Sequence, residues 1–170
     1  AVAEAINTRH ENPRYLPGLA LHPDLEAGTG TELLGTELLL LAIPCQQLRG
    51  WLHTMREHLH AEPVLINAAK GLELGTLSPC SRIVAEELAG RPFHYAMLSG
   101  PSFAAEVVRD QPTAVVLATA EEALGCRLRE LFSCAPFRCY SSTDVLGVER
   151  GGALKNVMAI AAGVCDGLGM

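Results

Sequence analysis

The chain has 170 residues, 49% of them hydrophobic and 19% charged, a balance that suits a globular protein with a sizeable core. Its net charge of −6 argues against a binder of phosphate backbones, because nucleic-acid domains display a basic face and the thirteen Lys and Arg here are scattered. No apolar run reaches the length of a membrane span, nothing at the start reads as a signal peptide, and the length suggests one domain, or one domain plus part of another.

AVAEAINTRHEN opens the chain and looks like the middle of an amphipathic helix. The Pro- and Gly-rich stretch 12–30 then predicts an irregular loop with short extended pieces. ELLLLAIP (37–44) is an unbroken apolar run ending in a breaker, the pattern of a fully buried strand. Leucine, tryptophan and methionine recur at helical spacing through 45–60, and PVLINAA (63–69) is a second apolar strand followed by the loop KGLELGTL. Ser78 and Pro79 form a helix start signal, Ser as N-cap and Pro at the first helical position, for a helix ending at Gly90. HYAMLSG (94–100) predicts a strand, GPSFAAEVV a short helix, TAVVLATA (113–120) a strand and EEALGCRLRELF (121–132) a helix. That helix has two glutamates in its first turn, where the dipole favours them. FRCYSS (137–142) is a last short strand, and from Val145 onward the pattern is helical.

Buried strands alternating with amphipathic helices predict an α/β open sheet, parallel or mainly parallel, covered on both faces. Ligands of such sheets gather outside the carboxyl ends of the strands. Three of those ends carry unusual residues, IPCQ (43–46), AAKG (68–71) and SGPSFA (99–104). GTGTELLG (28–35) resembles a dinucleotide loop but has Leu33 where G-x-G-x-x-G needs glycine, and no buried strand precedes it, so it is rejected as a phosphate loop. Six cysteines without a C-x-x-C pair encode neither a zinc site nor a disulfide framework and are read as reduced thiols of a cytosolic protein. His53 and His60 could share a helical face, and an exposed surface rather than a metal site is expected there.

Lys70 directly follows a buried strand, which places it at the rim where ligands bind. The SGPS turn has a glycine that lets a ligand approach the backbone, and Ser102 can cap the following helix. Lys155 sits in GGALKNVMAIAAGVC, where burial of a charge is costly unless it is paired. Gly151, Gly152, Ala159 and Ala162 share its helical face and clear space above it. A partly desolvated lysine suits a general base near neutral pH, whereas a lysine that snorkels out at the end of an interface helix needs no function. Composition leaves both readings open.

NPRYLPG (12–18), LLLAIPCQQLR (39–49), AAKGLE (68–73), LSGPSFAAEV (98–107), PTAV (112–115) and GVERGGALKNVMAIAAGVCDGLG (147–169) occur in order along the chain. On these strings the whole chain closely resembles the NAD(P)-dependent glycerol-3-phosphate dehydrogenases of the bacterial type. The resemblance implies a Rossmann-type domain over 1–142 and, from 143–170, the first helix of an all-helical substrate domain. It implies NAD or NADP as cofactor, hydride transfer between dihydroxyacetone phosphate and sn-glycerol 3-phosphate in phospholipid synthesis, a cytoplasmic location, and a homodimer as candidate assembly. No metal is implied.

By the same resemblance Lys155 corresponds to the catalytic lysine that exchanges a proton at the substrate oxygen, and Asn156 to the asparagine beside it that contacts substrate. Lys70 resembles the lysine at the cofactor–substrate junction, which polarises the carbonyl. Gly100 and Ser102 resemble substrate contacts, Ala104 a cofactor contact, and Pro44 ends the strand whose loop runs beside the nicotinamide. Two departures are Ala69, where the family's usual ATKG has a hydroxyl, and Arg150, where leucine is common. Both ends look cut, so a glycine-rich unit is expected before residue 1, a distal helical domain after Met170, and Lys155 is expected to be wetter than in a complete enzyme. A dehydrogenase of the same superfamily acting on a hydroxyacid, and a non-catalytic binding fragment, are the alternatives.

Overall fold

The computed structural model describes all of residues 1–170. The opening helix α1 (Val2–Arg9) ends at His10, which takes a left-handed conformation with φ 51°. Asn7 holds the irregular stretch against this helix, donating to the Ala27 carbonyl (2.9 Å) and accepting from the Ala27 amide (2.7 Å). Within the stretch, β1 (Glu11–Asn12) and β2 (Leu16–Ala20) pair antiparallel as a two-stranded sheet. The segment GTGTELLG lies in turns between β2 and the next strand.

The apolar runs become one five-stranded sheet in the spatial order β3 (Leu38–Leu41), β4 (Val64–Asn67), β5 (His94–Ser99), β6 (Thr113–Ala118) and β7 (Phe137–Ser142). Neighbours run parallel except β5 and β6, which are antiparallel with Ser99 opposite Val116. The reason lies in the connection. Parallel neighbours are joined through crossovers, whereas only the single-turn helix α4 (Ala104–Val107) stands between β5 and β6. The carboxyl ends of β3, β4 and β5 therefore share one edge with the start of β6.

Both faces of the sheet's centre are covered, but the strand expected to be fully buried at 37–44 is the edge strand β3, which has one neighbour only and leaves Leu40 exposed. On one face Leu65 of β4 meets α2 (Cys45–Met55) and α3 (Cys80–Glu87) through Cys45, Leu48, Leu52, Ile83, Val84 and Leu88. On the other, Val64 and Ile66 join Ala96, Val115 and Leu117 beneath Leu124 and Leu128 of α5 (Glu122–Phe132). Glu121 precedes α5 as its N-cap residue, and its carboxylate bonds His94 rather than the helix start. The last element, α6 (Val145–Gly167), packs on β5 and β6 with its first two turns and is exposed beyond Ala153. No helix is long and apolar enough to cross a membrane.

Two capping expectations are corrected. Pro79 has ψ 160°, an extended conformation, so α3 starts at Cys80 with Pro79 as N-cap residue, and the Ser78 side chain makes no capping bond. The amide that an N-cap side chain ordinarily satisfies, that of Ser81, donates instead to Glu149 of α6 at 2.9 Å. Ser102 does not cap α4 either. Phe103 occupies the cap position without a side-chain bond, and the Ser102 amide turns back to the Gly100 carbonyl at 3.0 Å.

Candidate active site

The chain contains two lysines among its thirteen basic residues, and the fold brings both to the carboxyl edge of the sheet. Lys70 is placed by β4. The strand ends at Asn67, whose buried side chain bridges the next turn, donating to the Ala69 carbonyl (3.0 Å) and accepting from the Ala69 amide (3.2 Å). Half-buried Lys70 then donates from Nζ to the Gly100 carbonyl at 2.9 Å.

The loop carrying Lys70 is braced from α2. Gln46 donates to the Leu72 carbonyl (2.8 Å) and accepts from the Leu74 amide (2.9 Å). Arg49 grips Glu73 through two parallel bonds of 2.8 Å and also reaches Glu86 (2.8 Å) and Glu87 (3.0 Å) on α3. Bidentate pairing of this kind is strong and directional. The Arg49 guanidinium, helped by Thr76, holds the Glu73 carboxyl down at about 2.

Gly100 sits where no side chain fits: a Cβ there would lie 2.8 Å from the Ala114 carbonyl oxygen and 2.9 Å from Val115 Cα. Its carbonyl accepts from both Lys70 Nζ and the Ser102 amide. Pro101, Ser102, Phe103 and Ala104 follow as an exposed rim.

Lys155 approaches from α6. A cavity of about 440 Å³ is lined by Ser99, Gly100, Phe103, Gly151, Gly152 and Lys155, with Pro101, Val116 and Val148 completing it. Gly152 is the point of closest approach, since a Cβ on it would stand 2.9 Å from Ser99 Oγ and 3.5 Å from Lys70 Cγ. Lys155 is exposed, with Nζ 5.7 Å from the centre of the Phe103 ring. Burial first, and the charge of Lys155 second, lower the pKa of Lys70. Two cations at one edge of the sheet suit a ligand that carries or develops negative charge.

Of the small residues expected beside Lys155, Gly151 and Gly152 line the cavity, whereas Ala159 and Ala162 lie farther along the exposed part of α6. Asn156 is likewise on the exposed part of the helix. Pro44 is the N-cap residue of α2 and belongs to an adjoining groove of about 400 Å³ with Ala42, Ile43, Cys45, Ala69 and Lys70. Small apolar walls leading to a lysine fit the reacting end of a nicotinamide dinucleotide. A Cβ at Gly71, at the mouth of this groove, would meet only Cys45, at 3.8 Å.

Three residues at the site escaped the sequence reading. Ser99 and Phe103 flank residues that were singled out, and both line the cavity. Glu149 is 4% exposed, the only buried residue of α6, and accepts from the Ser81 amide (2.9 Å), the Ser81 hydroxyl (2.5 Å) and the Tyr95 hydroxyl (2.8 Å). Followed directly by Arg150, Glu149 carries no local signal of its burial.

The fold and site define a class: a Rossmann-like α/β domain whose reactive edge is completed by a helix lying across it. Residues 1–125 match the family model of the NAD-dependent glycerol-3-phosphate dehydrogenase N-terminus, and residues 144–170 that of its C-terminus. The chain belongs to the NAD-dependent glycerol-3-phosphate dehydrogenase family. It is 62% identical over 170 residues to the glycerol-3-phosphate dehydrogenase (NAD(P)+) of Desulfovibrio desulfuricans, covering all of this chain and 51% of that relative. Glycerol-3-phosphate dehydrogenase from Coxiella burnetii superposes with a TM-score of 0.85 at 32% identity, over 98% of this chain and 51% of its own. The Saccharomyces cerevisiae enzyme gives 0.87 at 29% identity, over 99% and 50%. The chain thus spans about half the length of the curated relatives it matches.

Proposed function

We propose that this chain carries the reacting groups of an NAD(P)-dependent glycerol-3-phosphate dehydrogenase. The reaction is reversible hydride transfer between dihydroxyacetone phosphate and sn-glycerol 3-phosphate, supplying glycerophospholipid synthesis. The observation that carries the reading is that the chain's two lysines stand at neighbouring hollows of one sheet edge, one from a strand end and one from the helix across it, close enough for the charge of Lys155 to act on Lys70. In this reading residues 1–142 form the dinucleotide-binding domain and 143–170 begin the substrate domain.

Pro44, Lys70 and Ala104 would hold the dinucleotide, which would supply or accept the hydride when bound. This chain's residues manage the oxygen and its proton. In reduction, negative charge develops on the ketone oxygen as the carbon receives hydride. Lys70 is held at the Gly100 carbonyl by one of its three ammonium hydrogens and can direct another at that oxygen. Lys155 donates the proton that turns the oxygen into a hydroxyl, and in oxidation its neutral amine takes that proton back. Gly100 and Ser102 leave the backbone open to substrate, and Asn156 offers an amide to a substrate hydroxyl. The same reading implies a cytoplasmic protein and a homodimer.

Steady-state NADH oxidation with dihydroxyacetone phosphate tests this in a polypeptide extended to the length of its relatives. The expected result is turnover that Lys155→Ala abolishes. A Lys155→Ala protein running at the parent rate would overturn the assignment, and turnover of hydroxyacids without triose phosphate would move it to another substrate class.

A further inference from the structure

We infer that Glu149 is a positioning residue: its buried carboxylate, held by Ser81 and Tyr95, seats the first turns of α6 on the sheet and so sets where Lys155 stands relative to Lys70. The lysine roles rest on the function proposed above; the seating itself stands on geometry.

All three bonds to Glu149 are donated to it, from one amide and two hydroxyls, and an acceptor-only carboxylate is the form that satisfies all of them. Ser81 is the second residue of α3, where helix amides lack internal partners and the dipole favours a negative group. Tyr95 lies in β5, the strand that ends at Ser99 and leads into Gly100, the acceptor for Lys70. One carboxylate therefore joins α3, β5 and α6, and removing it would leave buried donors unpaired, which is costly.

What surrounds Glu149 makes it the specific hold. The other parts of α6 that face the sheet are Val145, Val148, Gly152 and Ala153, aliphatic or small groups that would tolerate sliding or rotation. Lys155 follows six residues later, about 9 Å along the axis at 1.5 Å per residue. A shift at Glu149 is thus carried by a continuous helix to the lysine and to the Gly152 contact with Lys70.

The test uses the two lysines as each other's probe. In protein labelled with 13C-lysine, Lys70 and Lys155 give two resonances, and each is titrated by NMR. In the parent, Lys155→Met is expected to raise the pKa of Lys70 by removing a neighbouring positive charge. In Glu149→Ala that response is expected to vanish, and in Glu149→Gln, which keeps an acceptor for Ser81 and Tyr95, to return in large part. Should Glu149→Ala not fold, Tyr95→Phe removes one bond of the three and is expected to weaken the response. An undiminished response in folded Glu149→Ala, or in Tyr95→Phe where that protein does not fold, overturns the proposal. In the full-length enzyme, Glu149→Ala is expected to lower kcat on the order of 10²-fold with the KM for dinucleotide unchanged. An unchanged kcat also overturns it, whereas a parent without triose phosphate activity would sink the function reading and leave the lysine coupling intact.

Discussion

Lys70 Nζ donates a 2.9 Å hydrogen bond to the carbonyl oxygen of Gly100, thirty residues further along the chain. The bond ties the end of β4 to the end of β5 at the place where α6 crosses both. It fixes one ammonium hydrogen and leaves two aimed elsewhere, so the residue serves as a clamp with a defined direction. Lys70→Met keeps much of the apolar stem and removes that charge. In the full-length enzyme, kcat/KM for dihydroxyacetone phosphate is expected to fall about 10²–10³-fold, the usual loss on deleting one oxyanion donor. Circular dichroism should stay that of the parent. Lys70→Arg should recover little, since a planar guanidinium cannot reproduce the point charge.

Gly100 offers a test of stability and geometry together. An added Cβ would meet backbone atoms of Ala114 and Val115, which cannot swing aside as a side-chain tip could. Gly100→Ala is expected to destabilise the protein by about 1–3 kcal/mol, the range for overpacking, seen as a lower Tm. It should also weaken turnover, because the carbonyl that holds Lys70 moves with the strand end.

The Arg49–Glu73 pair sets an acid limit. Glu73 has a folded pKa of about 2 against an ordinary 4.5, so its pairing stabilises the fold above the ordinary value. That contribution is lost as pH falls from about 4.5 through about 2. Chemical denaturation at pH 7 and pH 3 should therefore show a smaller drop for Glu73→Gln than for the parent. An equal drop in both proteins would mean that the pair is indifferent to folding.

At the other end of the sheet the sign reverses. His94 Nδ1 lies 2.5 Å from Glu121 and its Nε2 lies 3.4 Å from Glu62, and these carboxylates raise its pKa above the ordinary 6.5. Glu37, His60 and Arg127 line the same cavity. The stabilisation is complete below about pH 6.5 and is lost as pH rises through the elevated value. Denaturation midpoints at pH 6 and pH 8.5 should diverge more in the parent than in His94→Gln.

Much of this architecture is legible in the residues because local pattern decides it. The run PVLINAA reads as buried on both sides, and β4 lies between two strands with all four of its residues buried, whereas the equally apolar ELLLLAIP forms the edge strand β3. Leu48 and Leu52, one turn apart, give α2 its inner face. The features that local pattern missed depend on partners far along the chain. Ser78 and Ser102 have the right side chains for caps, yet their helices begin one residue or more later. The antiparallel β5–β6 pair follows from how little helix the intervening segment forms, which spacing of apolar residues does not report. Glu149 reads as an ordinary helix charge beside Arg150 until the fold brings Ser81 to it across 68 residues. Lys70 and Lys155 are rim residues in the sequence; that Gly152 lines the cavity of Lys155 while bringing α6 close to Lys70 is tertiary information.

Within these residues Glu149 is the one buried side chain of α6, the point from which the distances along the helix can be measured. A tilt of about 10° about that point would move Lys155 by roughly 1.6 Å, and the far end at Gly167, about 27 Å out, by nearly 5 Å. Lys155 thus lies close to the buried carboxylate, where a tilt about that point is felt about a third as strongly as at Gly167.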